Sequence, residues 1–252
     1  RRVAEFIVKQ KNKSPFVYRV HDLPDEEKLL NLKSITKNLG YQLNLETSNI
    51  NRCLNNLLNE AQGKKEQQLI DILVIRSMSK AVYSTDNIGH YGLAFESYTH
   101  FTSPIRRYPD ILVHRLLDFY SGGLNKINTL QLEDACTHSS NREQLASKAE
   151  RDSIKYMQVK FMQDKIDRRY NALISGVTER GMYVEIIENK CEGLVKISEI
   201  EGDYFIYEER SHSIVGKRTN KIYQLGDSVK VILKKTDLVK RQMDFILDKN
   251  NK

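Results

Sequence analysis

Cysteine is scarce in this chain: Cys53, Cys136 and Cys191 are the only three, far apart and never in C-x-x-C spacing. That excludes a disulfide scaffold and the usual structural zinc site, and a reducing, cytoplasmic home is the simplest expectation. Long apolar runs are missing too. None approaches the ~18 residues that a membrane-spanning helix needs, so no membrane partner is expected. The chain opens Arg1-Arg2-Val3-Ala4-Glu5-Phe6-Ile7, without Met and with an amphipathic helix already under way, so no cleavable signal is expected in it and it reads as a piece of a longer protein. What is there suffices for a core, because 40% of the 252 residues are hydrophobic, and an intrinsically disordered chain is excluded. At roughly 100–200 residues per domain, the length suits one large domain or two unequal ones. Acidic charge is in the minority, 33 Asp and Glu against 40 Lys and Arg, for a formal net charge of +7. The first twenty residues carry Arg1, Arg2, Lys9, Lys11, Lys13 and Arg19 against Glu5 alone. An edge that basic suits a polyanion, although solvated lysines are the commoner explanation of a charge run.

Residues 1–168 read as mostly helical. Asp22-Leu23-Pro24-Asp25 opens a helix bearing Leu29, Leu32, Ile35 and Leu39, with Gly40 at its C-terminal cap. Thr47 and Ser48 are candidate caps for a second helix with Ile50, Leu54, Leu57, Leu58 and Ala61, ending near Gly63. A third runs from about Lys65 to Ser79. Ala81–Ser84 and His90–Tyr98 alternate like strands around a turn at Asp86-Asn87-Ile88-Gly89. Ser140-Asn141-Arg142-Glu143 has the form of a capping box opening a long helix to about Asp167, with an apolar stripe of Ala146, Ile154, Met157 and Phe161. Glu150 falls on that stripe. It either faces a polar cavity or is bridged to Arg151 or Lys155 from a partly exposed position.

From Arg169 the pattern changes to period two over Ala172–Thr178, Met182–Ile187, Gly193–Ile197, Ser228–Lys234 and Gln242–Leu247. Five short strands in about 80 residues predict a small OB-type barrel. The expected class is α+β: residues 1–168 mostly helical, and residues 169–252 a five-stranded β-barrel.

The most specific stretch is Thr99-His100-Phe101-Thr102-Ser103-Pro104-Ile105-Arg106-Arg107-Tyr108-Pro109-Asp110. Ser103 with Pro104 behind it has the form of an N-cap and first helical residue, which would place Arg106 and Arg107 in the first turn. Backbone amides at such a terminus favour a phosphate, and a guanidinium can grip a phosphodiester with two hydrogen bonds. The plainer alternative is that one arginine pairs with Asp110 and ties down the helix start.

That stretch, with His90-Tyr91-Gly92-Leu93-Ala94-Phe95 before it and His114-Arg115 after it, resembles the signature of the ribonuclease II / ribonuclease R family. Arg2-Val3-Ala4-Glu5-Phe6 and Pro15-Phe16-Val17-Tyr18-Arg19-Val20-His21-Asp22 resemble that family's catalytic (RNB) domain. Gly181-Met182-Tyr183-Val184-Glu185, Glu192-Gly193-Leu194-Val195-Lys196-Ile197-Ser198, Asp203-Tyr204 and Leu225-Gly226-Asp227-Ser228-Val229 resemble its terminal RNA-binding barrel, of the ribosomal-protein-S-one type. Tyr18-Arg19-Val20-His21 and the intact Phe-Thr-Ser-Pro-Ile-Arg-Arg lean toward the ribonuclease R branch. The resemblance makes residues 1–168 the carboxy-terminal half of the catalytic domain and 169–252 the barrel.

The resemblance implies processive 3'-to-5' hydrolysis of RNA to nucleoside monophosphates, with Mg²⁺ held by clustered aspartates. Two-metal attack on a phosphodiester needs carboxylates converging on ions roughly 3.5–4 Å apart. No such cluster is found in this chain: Asp25-Glu26-Glu27, Glu133-Asp134 and Glu208-Glu209 read as solvated pairs. The family's cold-shock barrels and base-clamping aromatics have no match either, so this chain alone is expected to bind single-stranded RNA without cutting it. By resemblance, Arg106 holds the scissile phosphate, while Ser103, Arg107 and His100 support it or contact RNA. Glu150 matches a glutamate beside the RNA, and Tyr183 an aromatic on which a base stacks. Arg180 and Lys196 stand where related barrels often carry Phe and His, trading stacking for phosphate attraction. For Tyr183 the alternation leaves open whether it or Met182 turns into the barrel. A non-catalytic RNA-binding module is the alternative function. Self-association through the apolar surface of a cut catalytic domain is also expected.

Overall fold

Helical spacing of Ala4 and Ile7 buries one side of α1 (Arg2–Gln10), and the strands that follow complete its core. In the computed structural model, which describes residues 1–10, 14–45, 50–64, 66–122, 128–209 and 211–248, the chain packs as two units. One comprises residues 1–25 and 77–149, the other 26–76 and 150–252. In the first, β1 (Tyr18–Val20) pairs antiparallel with β2 (Val82–Ser84). Ala4, Ile7, Phe16, Val20, Tyr83, Val113, Leu116 and Cys136 form the buried core beneath them.

The second unit begins with α2 (Glu26–Asn38), which buries Leu29, Leu32 and Ile35 and ends at Gly40, whose φ of +87° suits the left-handed cap predicted there. α3 (Ile50–Ala61) buries Leu54, Leu57 and Ala61, and α4 spans Gln67–Ser77. The candidate caps Thr47 and Ser48, and the expected helix start at Lys65, lie outside the described residues, as do Lys11 and Lys13.

The five period-two runs form the barrel. β3 (Arg169–Thr178), β4 (Gly181–Ile186), β5 (Glu192–Lys196), β9 (Ser228–Asp237) and β10 (Gln242–Leu247) close in the order β10-β5-β4-β3-β9. Closure comes from a parallel β5–β10 pair and an antiparallel β9–β10 pair. Ile174, Met182, Val184, Ile186, Val195, Val231 and Phe245 fill its interior. Between β5 and β9 the chain adds β6 (Phe205–Glu208), β7 (Ser213–Gly216) and β8 (Ile222–Gln224), an antiparallel sheet whose strands are too short for the alternation to have marked them.

Three local expectations are corrected. His90–Tyr98 is no strand: the His90 amide reaches the Phe95 carbonyl at 2.8 Å, Tyr91–Leu93 make a 3-10 turn, and Ala94 takes φ +53°. Gly92 permits this, because a Cβ there would lie 2.7 Å from His21 Nδ1. The capping box at Ser140 does not start a helix. α6 runs unbroken from Thr129 to Met162, and the buried Ser140 hydroxyl donates to the Cys136 carbonyl and accepts the Tyr83 amide. The apolar stripe of α6 also points outward: Ile154, Met157 and Phe161 are 53%, 56% and 57% exposed. The opposite face meets the barrel through Asp152–Arg241 (3.0 Å), Lys155–Glu192 (3.5 Å) and Gln158 to the Lys190 carbonyl (2.8 Å), above buried Val159 and Met162. Three barrel-side polar partners and two apolar residues outcompeted the stripe.

Candidate functional site

The arginine motif is built around a carboxylate. α5 (Tyr108–Gly122) starts four residues later than Ser103-Pro104 suggested. Pro104–Arg106 form a tight turn in which the amides of Arg106 and Arg107 reach back to the Ser103 carbonyl at 3.3 and 3.1 Å. Pro109, which lacks an N–H, takes the second helical position instead, where no intrahelical donor is needed. Asp110, fully buried in the first turn of α5, accepts the Ser103 amide at 2.7 Å and the Arg107 guanidinium at 2.9 Å. The Ser103 amide is therefore committed to Asp110 and is no free anion donor.

The two arginines are consequently unlike. Arg107, with 20% of its side chain exposed, is the arginine that ties down the helix start. Arg106 is exposed and, among the described residues, its guanidinium has no hydrogen bond or ion pair. Ile105 beside it is fully exposed. A loop whose other charges are neutralised thus holds out one guanidinium.

His100 lies behind the turn, its Nδ1 2.8 Å from the Tyr83 hydroxyl, with Tyr83 and Tyr98 edge-on to its ring. Burial, with Arg107 and Arg19 adding to it, pushes the imidazole down to about 4, so His100 is neutral at pH 7. Burial likewise lifts the Tyr83 phenol to about 12. Of the amino-terminal cations, Arg1 pairs with Glu5 at 2.7 Å, and Arg19 forks onto Glu143 at 2.6 and 3.2 Å while covering the Tyr83 ring. Both therefore have carboxylate partners within the chain. Glu133 is not solvated as expected: it accepts the Thr85 amide at 2.6 Å and the Ser84 hydroxyl at 3.2 Å, closing the end of β2.

The remaining expected site residues lie in the second unit. Glu150 is exposed on the outward face of α6, with no ion pair among the described residues; Lys155 bonds Glu192 instead. On the barrel, Met182 and Val184 point inward, so Tyr183 points out. A register shift between Ile174 and Gly176 sets Gly176 opposite Tyr183, where a Cβ would sit in ordinary contact with the ring. Pairing places Tyr183 beside Leu194 and Gly181 beside Lys196, which brings Tyr183 and Lys196 onto one outer face. Tyr183, Leu194 and Asp244 also line a recess of about 250 Å³ that Lys155, Lys240 and Arg241 rim. Lys196 reaches Asp244 at 2.7 Å and Glu199 at 4.0 Å, so its charge is shared. Arg180, at the β3–β4 turn, is exposed and, among the described residues, unpaired. Sequence reasoning missed the Lys196–Asp244 and Arg241–Asp152 pairs, which join positions 48 and 89 residues apart and leave no local signal.

No group of three or more His, Cys, Asp or Glu side chains among the described residues is placed to hold a metal ion. No described helix is long and apolar enough to cross a membrane.

Comparison with known proteins accounts for this arrangement. Residues 1–122 match the RNB domain, and residues 163–247 match the S1 RNA binding domain. The chain is 41% identical over 236 residues to ribonuclease R of Aquifex aeolicus, covering 92% of this chain and 34% of that protein. The apo form of Mycoplasma genitalium RNase R superposes with a TM-score of 0.86 at 30% identity, over 98% of this chain and 39% of that one. The same enzyme in complex with ribose methylated single-stranded RNA gives 0.85, with the same identity and coverage. The chain spans about a third of the length of the curated relatives it matches.

Proposed function

Because this chain belongs to the ribonuclease II / ribonuclease R (RNB) family, in its carboxy-terminal part, we propose that it is part of a 3'-to-5' exoribonuclease that hydrolyses RNA to nucleoside monophosphates. One observation carries the reading: Arg106 stands exposed and, among the described residues, its guanidinium is unpaired, on a turn whose other arginine, Arg107, is neutralised by Asp110. In this reading the Arg106 guanidinium grips the scissile phosphate and stabilises the charge that develops on its oxygens. Preorganised charge of that kind is usually the largest catalytic term. Arg107, Ser103 and neutral His100 position the turn and do not touch substrate. Tyr183 stacks a base, Arg180 supplies the unpaired phosphate contact on the barrel, and Lys196 shares its charge between Asp244 and RNA. Glu150 offers a negative charge that moderates the grip.

The catalytic Mg²⁺ of this reading is held by carboxylates in the portion of the catalytic domain that the longer relatives possess and this chain does not align with. Alone, then, the chain binds single-stranded RNA and does not cut it, and with about five phosphate contacts log K falls with a slope near −3.5 against log salt. Three cysteines far apart in the chain, two of them buried, fit a reducing cytoplasm. In this reading isolated chains self-associate through the apolar surface that a cut catalytic domain leaves exposed.

The test is a denaturing-gel time course with 5'-labelled single-stranded RNA and Mg²⁺ beside an EDTA control. The chain alone leaves the RNA intact. Joined to the preceding catalytic segment of a relative, it produces a ladder that Arg106→Ala slows by about 10²–10³. Binding that persists while Arg106→Ala leaves turnover unchanged would instead establish a non-catalytic RNA-binding module. An EDTA-sensitive ladder from the chain alone would reveal a metal site within these residues.

A further inference from the structure

The sheet inserted between β5 and β9 is separate from the five barrel strands and has an outer face of its own. Its register aligns Ile206 on β6 with Val215 on β7, and Val215 with Ile222 on β8. Ile206 is 38% and Ile222 54% exposed, so an apolar row crosses three strands in the open. Tyr204, two residues before Ile206 and hence on the same side of the pleat, is 67% exposed. The β7–β8 turn brings Lys217 over it, with Nζ 5.0 Å from the ring centroid. Glu208, the acidic residue on this strand, stands at the far end from that turn.

The turn is held by one carboxylate. Asp203, whose side chain is fully covered, accepts the amides of Tyr204 (2.7 Å), Arg218 (2.9 Å) and Thr219 (2.7 Å) and the Thr219 hydroxyl (2.7 Å). Burial alone would raise its pKa, but these donors outweigh it and hold the group well below the usual carboxylate range. Gly216 is required by the approach, since a Cβ there would meet Asp203 Oδ2 at 2.6 Å and Thr219 Oγ1 at 2.8 Å. The turn is thereby fixed with Lys217 and Arg218 turned outward. Arg218 rests its Nε 3.3 Å from Asp203 and keeps 78% of its side chain exposed. Lys217 has no carboxylate partner among the described residues.

We infer that this face is a second single-stranded RNA platform, separate from the Tyr183 face of the barrel. Tyr204 stacks a base, the row of Ile206, Val215 and Ile222 floors its neighbours, and Lys217 and Arg218 take the phosphates. The chemistry discriminates among ligands. An exposed aromatic beside aliphatic side chains, rimmed by cations, fits unstacked bases on a polyanion. A duplex, whose bases are stacked away, would use only the cations. The inference rests on the RNA-binding reading proposed above.

It is tested by fluorescence anisotropy of this chain with a labelled single-stranded RNA over a salt series. Lys217→Ala/Arg218→Ala and Tyr204→Ala are compared with Tyr183→Ala, and circular dichroism reports the fold. The double variant reduces the salt slope by about 1.4, two contacts at about 0.7 each. Tyr204→Ala weakens binding by about 5- to 150-fold, one stacked base, with little change of slope. A 4-thiouridine-labelled RNA crosslinks to Tyr204 in the unmodified chain, a readout that needs no variant to fold. Should Tyr183→Ala weaken binding while the hairpin variants keep affinity, slope and crosslink pattern unchanged from the parent, and no crosslink map to Tyr204, the platform is overturned and the RNA-binding reading stands. No RNA binding by the unmodified chain would overturn both. A second copy of the chain docking here is the competing occupant, and it is established if Ile206→Glu/Ile222→Glu abolishes self-association without altering RNA affinity.

Discussion

Replacing Asp110 by alanine removes the carboxylate on which the arginine turn is built. The side chain is fully buried, and it accepts one backbone amide and one guanidinium. Hydrogen bonds to a charged group contribute about 1.5–3 kcal/mol each, and removal leaves Arg107, 20% exposed, without its counter-charge. Breaking a buried pair by deleting one member typically costs about 3–5 kcal/mol, which agrees with the sum of the two bonds. At an m-value of about 2–3 kcal/mol/M, the urea midpoint followed by far-UV circular dichroism should fall by about 1–2 M. Arg106→Ala, at an exposed and unpaired position, should stay within about 0.5 kcal/mol of the parent. In the Arg107→Ala/Asp110→Ala cycle the double variant should be less destabilised than the two singles summed, as expected for residues in contact. Hydrogen exchange supplies the local readout, because the Ser103 amide loses its acceptor and should exchange at least tenfold faster in Asp110→Ala. If Asp110→Ala and Arg106→Ala shift the midpoint equally, and the Ser103 amide exchanges no faster, then Asp110 does not hold the turn and the case for a preorganised Arg106 falls with it.

Two further expectations concern other parts of the fold. His100, held down to about 4 chiefly by burial, binds its proton in the unfolded chain below about pH 6.5 but not in the folded one. Its contribution to stability is therefore complete above about pH 6.5 and is lost as pH falls toward 4. Its imidazole resonances should stay unmoved between pH 7 and 5.5, and a titration centred near 6.5 would show that the Tyr83–His100 pocket is open to water. Gly193→Ala places a Cβ 2.4 Å from Phe245 Cε2 and 2.5 Å from the Met243 carbonyl, at the parallel junction that closes the barrel. Overpacking there should cost about 1–3 kcal/mol, read as a lower melting temperature. An unchanged melting temperature would mean that the Phe245 ring and the Met243 backbone both move aside freely.

The barrel was legible residue by residue because strand alternation is a local property. Met182, Val184 and Ile186 must share a face whatever else the chain does, and the structure buries all three. The same alternation could not say which of Tyr183 and Met182 faced inward until the other four strands surrounded them. α2 and α3 were legible from their apolar spacing and from the glycines that follow them. β6, β7 and β8 were not, at three or four residues each, because so short a run is compatible with any backbone until a neighbouring strand pairs with it.

Residue types and spacing alone determined that this chain has a five-strand barrel, a helical remainder and a paired-arginine stretch suited to an anion; its RNB character is what the resemblance implies. Only the tertiary structure decided which charges remain available. Arg19 is consumed by Glu143, 124 positions away, Lys196 is shared with Asp244, and Arg107 is claimed by Asp110, while Arg106 and Arg180 are left over. It also turned the apolar stripe of α6 outward, since Asp152, Lys155 and Gln158 found partners on the barrel that no inspection of the helix could reveal. Charge pairing depends on distances between residues far apart in the chain, and those distances do not exist until the elements have packed.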